Sequence, residues 1–489
     1  MRHALHVLLL ISLGCGGPGK AAKAPESNPI PAEVARAYPA ASWIPAHPTY
    51  ALAARTVRDA QHRVRDVINV FGGVFGGVEA ALISTILEAE LGVDALSPEA
   101  LAAIGIDPDG GFAVFSEGLN PTVVVRLAAP DAMARFLAPR RGTPRTADGT
   151  TILTAELFPG LAISWVMSSE WLWLHVHLPF APDDGTSWFA PSRHPKAPTW
   201  TADWAWAQES TGRGAPAFLG FLDLRRVLTS LSPRIPAAQA CLAKLAPAGN
   251  LAVALDGDTQ QASLRFAVDL GASATALRTA VLPPPEGWAA AGAGAPLAAQ
   301  LNVDLVAARA YLAPCLAAAN LDLRRLDQLG LRTVRAIIRE IDPRGPSGAG
   351  VVSADLASAS YIRQQLDRIP FRSRLEKKKK FGAYDGVSLS VPFGPTVDYI
   401  LDDKQLLAGL GDGWLARAVG QGAGTTNALV ALDVAPGALG VDAWAWLLDE
   451  LDVSGARRIA EQLLRWRHGR VAVTLDGTRV VLEVSGNRR

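Results

Sequence analysis

No apolar run in this chain approaches the ~20 residues that a membrane-spanning helix needs, although hydrophobic residues make up 49% of it. Alanine supplies much of that fraction, so a globular, water-facing body is expected. Charge of one sign is missing too. The 47 Lys and Arg stand against 46 Asp and Glu, a net +1, which leaves no global basic field and excludes nucleic acid as the expected partner. Catalytic signatures are absent as well: no His-Glu-x-x-His, no Gly-x-Ser-x-Gly, no phosphate-binding Gly-x-x-x-x-Gly-Lys, and no Gly-x-Gly-x-x-Gly after a strand. The expectation is therefore no enzyme, no catalytic residue, no cofactor and no metal. Cysteine is scarce, with three in 489 residues.

The first of those cysteines closes a short apolar leader. Met1, Arg2 and His3 precede an apolar run from Leu5 to Leu13, followed by Gly14, Cys15, Gly16 and Gly17. A basic start, a core too short to span a bilayer and small residues at its end make a secretory signal. The stretch Ser12, Leu13, Gly14, Cys15 resembles the lipobox of bacterial lipoprotein precursors, with Ser12 where that family usually has an aliphatic residue. The resemblance implies cleavage after Gly14 and a diacylglycerol on Cys15, with the membrane as first partner. Several acyl chains at about 0.8 kcal/mol per buried CH2 would hold the protein there. Gly16 gives no inner-membrane retention cue, so the outer membrane is the expected address, facing the periplasm or the exterior. Residues 15–42, rich in Gly, Ala, Pro and Lys, read as a flexible tether. In an oxidising compartment, Cys241 and Cys315 become a candidate disulfide.

The remaining ~450 residues exceed a single core, and they repeat. Residues 215–231 (APAFLGFLDLRRVLTSL), 295–313 and 427–451 each run from strand to helix, with Asp223, Asp304 and Asp433 at the strand ends as expected helix caps. A fainter copy begins at Pro48. Alternating segments joined near Asp256-Gly257 and Asp476-Gly477 read as hairpins, as does 111–127. Two linking regions, 146–173 and 381–407, each follow a basic stretch. These patterns predict two halves, 43–282 and 297–489, joined by a Pro/Ala/Gly linker at 283–296. The expected fold class is α+β: duplicated strand-helix-hairpin modules forming antiparallel sheets with helices packed on one face.

Two surfaces stand out. Seven of the thirteen tryptophans lie between 165 and 206. Trp171 and Trp173 share a strand face, and Trp200, Trp204 and Trp206 follow in an irregular segment. Flat aromatic faces suit glycan rings, so a glycan- or peptidoglycan-binding module is one reading, with structural filling as its plain counterpart. Lys377, Lys378, Lys379 and Lys380 form the densest charge, read as a solvated loop that anionic lipid or polymer would attract. His175 and His177 fall on one side of a strand, near Asp183, Asp184 and His194, and read as exposed sheet-face histidines. Residues 69–91 read as a buried helix with a Gly-rich lead-in. The favoured function is a non-enzymatic envelope lipoprotein that binds an envelope protein, lipid or glycan. An envelope hydrolase of unknown type is the remaining alternative.

Overall fold

The described residues form strand more than helix. The computed structural model describes residues 36–488 except 46–47, 72–87, 89–91, 148, 159, 179–180, 182–184, 190–215, 232–249, 258–259, 272, 308–329, 344–347, 391–393, 412, 420–425, 427 and 451–454. The signal segment with Cys15, both Cys241 and Cys315, Trp200, Trp204, Trp206, Asp183, Asp184, His194 and nearly all of 69–91 lie outside the described residues.

The chain divides into two compact units that change over at Leu270. The first contains β1 (Tyr50–Ala54), β2 (Phe112–Ser116), β3 (Thr122–Arg126), β4 (Thr143–Ala147), β5 (Thr150–Phe158), β6 (Leu161–Met167), β7 (Trp171–His177), β8 (Phe218–Asp223), β9 (Asn250–Gly257) and β10 (Gln261–Asp269). Its helices are α1 (Val57–Phe71), α2 (Pro98–Ala103), α3 (Pro130–Leu137) and α4 (Leu224–Leu231). Every pairing is antiparallel, and the strands lie side by side as 10-9-8-1-2-3-7-6-5-4.

The second unit contains β11 (Leu297–Leu301), β12 (Val334–Ile341), β13 (Gly348–Asp355), β14 (Glu376–Phe381), β15 (Tyr384–Ser390), β16 (Thr396–Leu401), β17 (Gln405–Leu410), β18 (Ala428–Val434), β19 (Trp466–Asp476) and β20 (Arg479–Arg488). Its helices are α5 (Ser273–Thr279), α6 (Trp288–Gly292), α7 (Ser360–Asp367), α8 (Arg372–Leu375), α9 (Trp414–Val419), α10 (Val441–Glu450) and α11 (Ala456–Leu463). Its order is 20-19-18-11-12-13-17-16-15-14. Adding ten to each label of the first unit reproduces the second, so the duplication extends to the whole strand order.

This overturns the expected α+β class with helices on one face. Among the described residues, twenty strands carry the fold, and the named helices are only four to fifteen residues long. Two causes are visible. Residues 143–177 and 376–410 each form four consecutive strands with no helix between them. In the second unit, helices also sit on both faces of the sheet. There α6 and α9 bring Trp288, Leu415 and Ala418 onto Ile337, Val351, Ile400 and Leu407. On the opposite face, Ile362 of α7 packs with Ala354, Leu401 and Leu406. In the first unit, α1, α2 and α3 bring Val57, Leu101, Met133 and Leu137 onto Ile163, Trp165 and Leu172. Each such buried side chain contributes about 1.5–3 kcal/mol.

Two helix starts in the first unit carry side-chain caps. The Thr56 hydroxyl accepts the Asp59 N–H at 2.9 Å ahead of α1. Ser97 accepts from Ala100 before α2, which has Pro98 at its first position; both follow capping chemistry. Within residues 283–296, Trp288 is 4% exposed and belongs to the second unit's core.

Candidate functional site

The tryptophan region of the first unit is built by β7 and its cover. Trp171, Trp173, His175 and His177 alternate onto one sheet face, while Leu172 and Leu174 turn to the helix-covered side. The 3-10 turn Pro39–Trp43 brings Trp43 edge-on to Trp171 and Trp173, with ring centroids 5.7 and 5.0 Å apart. The turn Ser187–Phe189 lays Trp188 flat on the His175 ring, 4.9 Å away and tilted 8°. His175 is fully buried with Nδ1 2.9 Å from the Thr122 hydroxyl, and His177 Nε2 lies 2.7 Å from Ser164 Oγ. His175 is therefore interior, not exposed on a sheet face, because the 187–189 turn folds over it. Trp165, Trp173 and Trp188 are each under 5% exposed, and Trp171 is half-buried. Among the described residues, no group of three or more His, Cys, Asp or Glu is placed to hold a metal.

Of the three repeated aspartates, two cap helices. Asp223 accepts the Arg226 N–H at 3.0 Å, and Asp304 accepts from Val306 and Ala307. Burial pushes the Asp304 carboxyl up, but the Arg332 guanidinium at 2.6 Å and those N–H groups outweigh it and hold it below the usual carboxylate range. Asp433 departs from the pattern. It stays in β18 and faces His468 and Arg470 at 3.7 and 3.9 Å. A 360 Å³ hollow beside it is lined by Trp288, Gly292, Ala298, Gln300 and His468. Its described lining holds no serine, threonine, cysteine or lysine.

Lys377 to Lys380 form β14, the edge strand of the second sheet, and not a loop; the pairing Lys377↔Ser388 to Lys380↔Asp385 fixes their register. An unpaired strand edge invites association with another chain, and lysines along it discourage that. The corresponding edge of the first sheet, β4, carries Pro144 and Arg145 instead. Ahead of β14, Arg372 contacts Asp367 and Glu376, each at 2.5 Å, and the Tyr399 hydroxyl donates to Glu376. Burial raises the Glu376 carboxyl, but hydrogen bonds from Tyr399 and Arg372 prevail and lower it. Phe371, at the turn before α8, is 73% exposed with a left-handed φ of 58°.

A larger hollow, 550 Å³, lies on the second sheet's face between β12, β13, β17 and β16. Register explains its shape. Ala336, Val352 and Ala408 form one cross-strand row, and Ile338, Gly350, Leu410 and Val397 form the next. Small residues make the floor and aliphatic ones the walls. Gly350 sits opposite a β-bulge between Ile338 and Glu340, where a Cβ would come within 2.4 Å of the Ile337 carbonyl oxygen. Trp446 of α10 stands at the rim, 43% exposed, and Val352 is 41% exposed. Trp444, two residues earlier and so about 200° around the helix, is buried and donates to the Pro436 carbonyl at 3.0 Å. The sequence singles out neither β12 and β13 nor the face they leave uncovered.

No family model and no curated protein matches the chain. Among solved structures, it is similar to crystal forms I and III of the protein TP0453. Identity is 11% and 12%, coverage is 47% of this chain and 78% and 79% of those chains, and the TM-scores are 0.27 and 0.26. Overlap of that extent transfers neither a fold nor a function.

Proposed function

We propose that this chain is a lipoprotein anchored at the bacterial envelope through Cys15, and that its second unit binds an acyl chain without catalysing a reaction. The observation that carries the binding reading is the sheet-face groove. Its volume of 550 Å³ falls in the range of about 300–1,000 Å³ usual for small-molecule sites. Its walls are mostly aliphatic, with Glu340 and Asp342 also in the lining, and the large apolar side chains Val352 and Trp446 remain over two-fifths exposed. Exposed apolar groups gathered in one concave place mark a surface that gains from being covered. In the first unit, the residues of β7 that match Leu406, Ala408 and Leu410 are Leu172, Leu174 and Val176, and these pack in its own core. The anchor reading rests on the leader and its cysteine.

Two measurements test this. The intact mass of protein taken from membranes should correspond to a chain starting at Cys15 with added acyl mass; an unmodified chain sinks the anchor. Titration with an anthroyloxy-labelled stearate should give saturable binding with energy transfer from Trp446, and Val352→Lys should abolish it. Undiminished binding by Val352→Lys would remove the groove from consideration.

A further inference from the structure

Where α8 leads into β14, the chain concentrates charge. Residues 363–380 carry eight Lys and Arg against two acidic residues. Arg372 is turned inward, satisfied by Asp367, Glu376 and Tyr399, and Lys379 reaches Asp398 at 2.8 Å. Arg368, Arg374, Lys377, Lys378 and Lys380 are exposed. Because β14 is an edge strand, its successive lysines point to both sides of the rim.

At the tip of this basic corner stands Phe371. It is 73% exposed, more than any other large hydrophobic among the described residues. Its φ of 58° belongs to the left-handed region that a phenylalanine disfavours. The tip is held in place: Ile369 N–H donates to Leu366 O, Arg372 N–H to Ile369 O and Arg374 N–H to Phe371 O, at 2.9–3.3 Å. The Arg374 guanidinium lies 5.9 Å from the Phe371 ring centre. Beyond that one cation contact, the ring stands in a disfavoured backbone state with most of its surface in water.

The duplicated fold supplies a comparison. The first unit has a left-handed non-glycine residue at the matching turn before β4, and it is Arg141, with φ of 48°. Arg140 and Arg145 flank it. Both corners are basic, but only the second adds an apolar tip.

We infer that the corner from Arg368 to Lys380 docks on an anionic lipid surface, its cations at the headgroups and the Phe371 ring in the layer beneath. Basic residues near such a surface attract its charge, and a buried aromatic ring adds an apolar contribution. A soluble polyanion would use the cations but leave Phe371 exposed. The surface is separate from the acyl groove and does not depend on it.

The test is vesicle co-sedimentation of the full chain carrying Cys15→Ser, so that no acyl group contributes. Vesicles of phosphatidylcholine are compared with an equal mixture of phosphatidylcholine and phosphatidylglycerol, at low and high salt. Binding should favour the anionic vesicles and fall with salt. Phe371→Gly retains the left-handed turn and folds, and it should weaken anionic-vesicle binding by about tenfold or more. Lys378→Glu with Lys380→Glu should weaken it by a similar factor. Equal binding to both vesicle types, or full binding by Phe371→Gly, overturns the inference. So does binding to dextran sulfate that Phe371→Gly weakens as much as it weakens vesicle binding, which would make the partner a polyanion.

Discussion

Arg335, fully enclosed in the second unit, lies 3.0 Å from the Asp355 carboxylate on the neighbouring strand. Its Nε donates to Asn302 Oδ1 at 2.6 Å, and the same Nη2 that faces Asp355 reaches the carbonyl oxygens of Leu282 and Pro283 at 2.7 and 3.1 Å. One guanidinium therefore ties the chain entering residues 283–296 to the centre of the sheet. Replacing it by Met should cost about 3–5 kcal/mol, since the buried Asn302 Oδ1 and the Leu282 and Pro283 carbonyls lose this donor and Asp355 is left with the Thr333 hydroxyl opposite it. Urea unfolding measures this. A loss below about 1 kcal/mol would show that the network is dispensable.

The aromatic seam of the first unit is interior, so its residues should behave as core. Trp173→Ala should destabilise by about 3–5 kcal/mol, and Trp171→Ala, half-buried, by less. If Trp173→Ala left stability unchanged but removed binding to a glycan polymer, the seam would be a ligand surface after all.

Two carboxylates should give the second unit part of its acid sensitivity. Asp304 and Glu376 are held below the ordinary carboxylate range. In the folded chain they stay ionised where the unfolded chain takes up protons. The stability they contribute is complete above about pH 4–5 and disappears as pH falls through their folded values. Urea midpoints of the wild type should therefore drop on acidification, and Glu376→Gln should drop less. Equal slopes would show that the Arg372–Glu376–Tyr399 cluster is not coupled to folding.

Stability and exposure should part company at Phe371. Gly accepts positive φ freely, so Phe371→Gly should leave thermal stability equal or raise it by up to about 1 kcal/mol. A clear loss would mean that the ring packs against the protein.

Edge protection makes a fifth prediction. Changing Lys377, Lys378, Lys379 and Lys380 to Thr leaves strand propensity high and removes the charge that guards the sheet edge. Concentration-dependent self-association, read by light scattering, should follow. A monodisperse variant would assign the lysines no protective role.

Local chemistry was readable where one residue decides it. Asp476-Gly477 marks the hairpin of β19 and β20, with Gly477 at φ 56°, and Asp223 and Asp304 cap as their positions suggest. The hairpin at 250–269 turns slightly later than Asp256-Gly257, because β9 runs through Gly257. What the sequence hid were matters of coverage. Nothing around Trp43 says that it will meet Trp171 and Trp173. The lysine run looks like a loop because four like charges seem ill suited to a strand, and only an edge position makes them tolerable. The α+β expectation failed because the tertiary role of 143–177 and 376–410, four strands in succession, depends on partners far along the chain. Phe371 gave one weak signal, an aromatic residue between Pro370 and Arg372 in a basic stretch.

The strand order has a consequence in time. β1 lies in the middle of its sheet, between β2 and β8, so that Ala51 pairs with both Phe115 and Phe221. Its second neighbour emerges only after six further strands have been made, and β11 waits in the same way for β18. Contacts so distant along the chain slow folding. Until β8 arrives, β1 is an open edge of the growing sheet, and only that late pairing makes it interior.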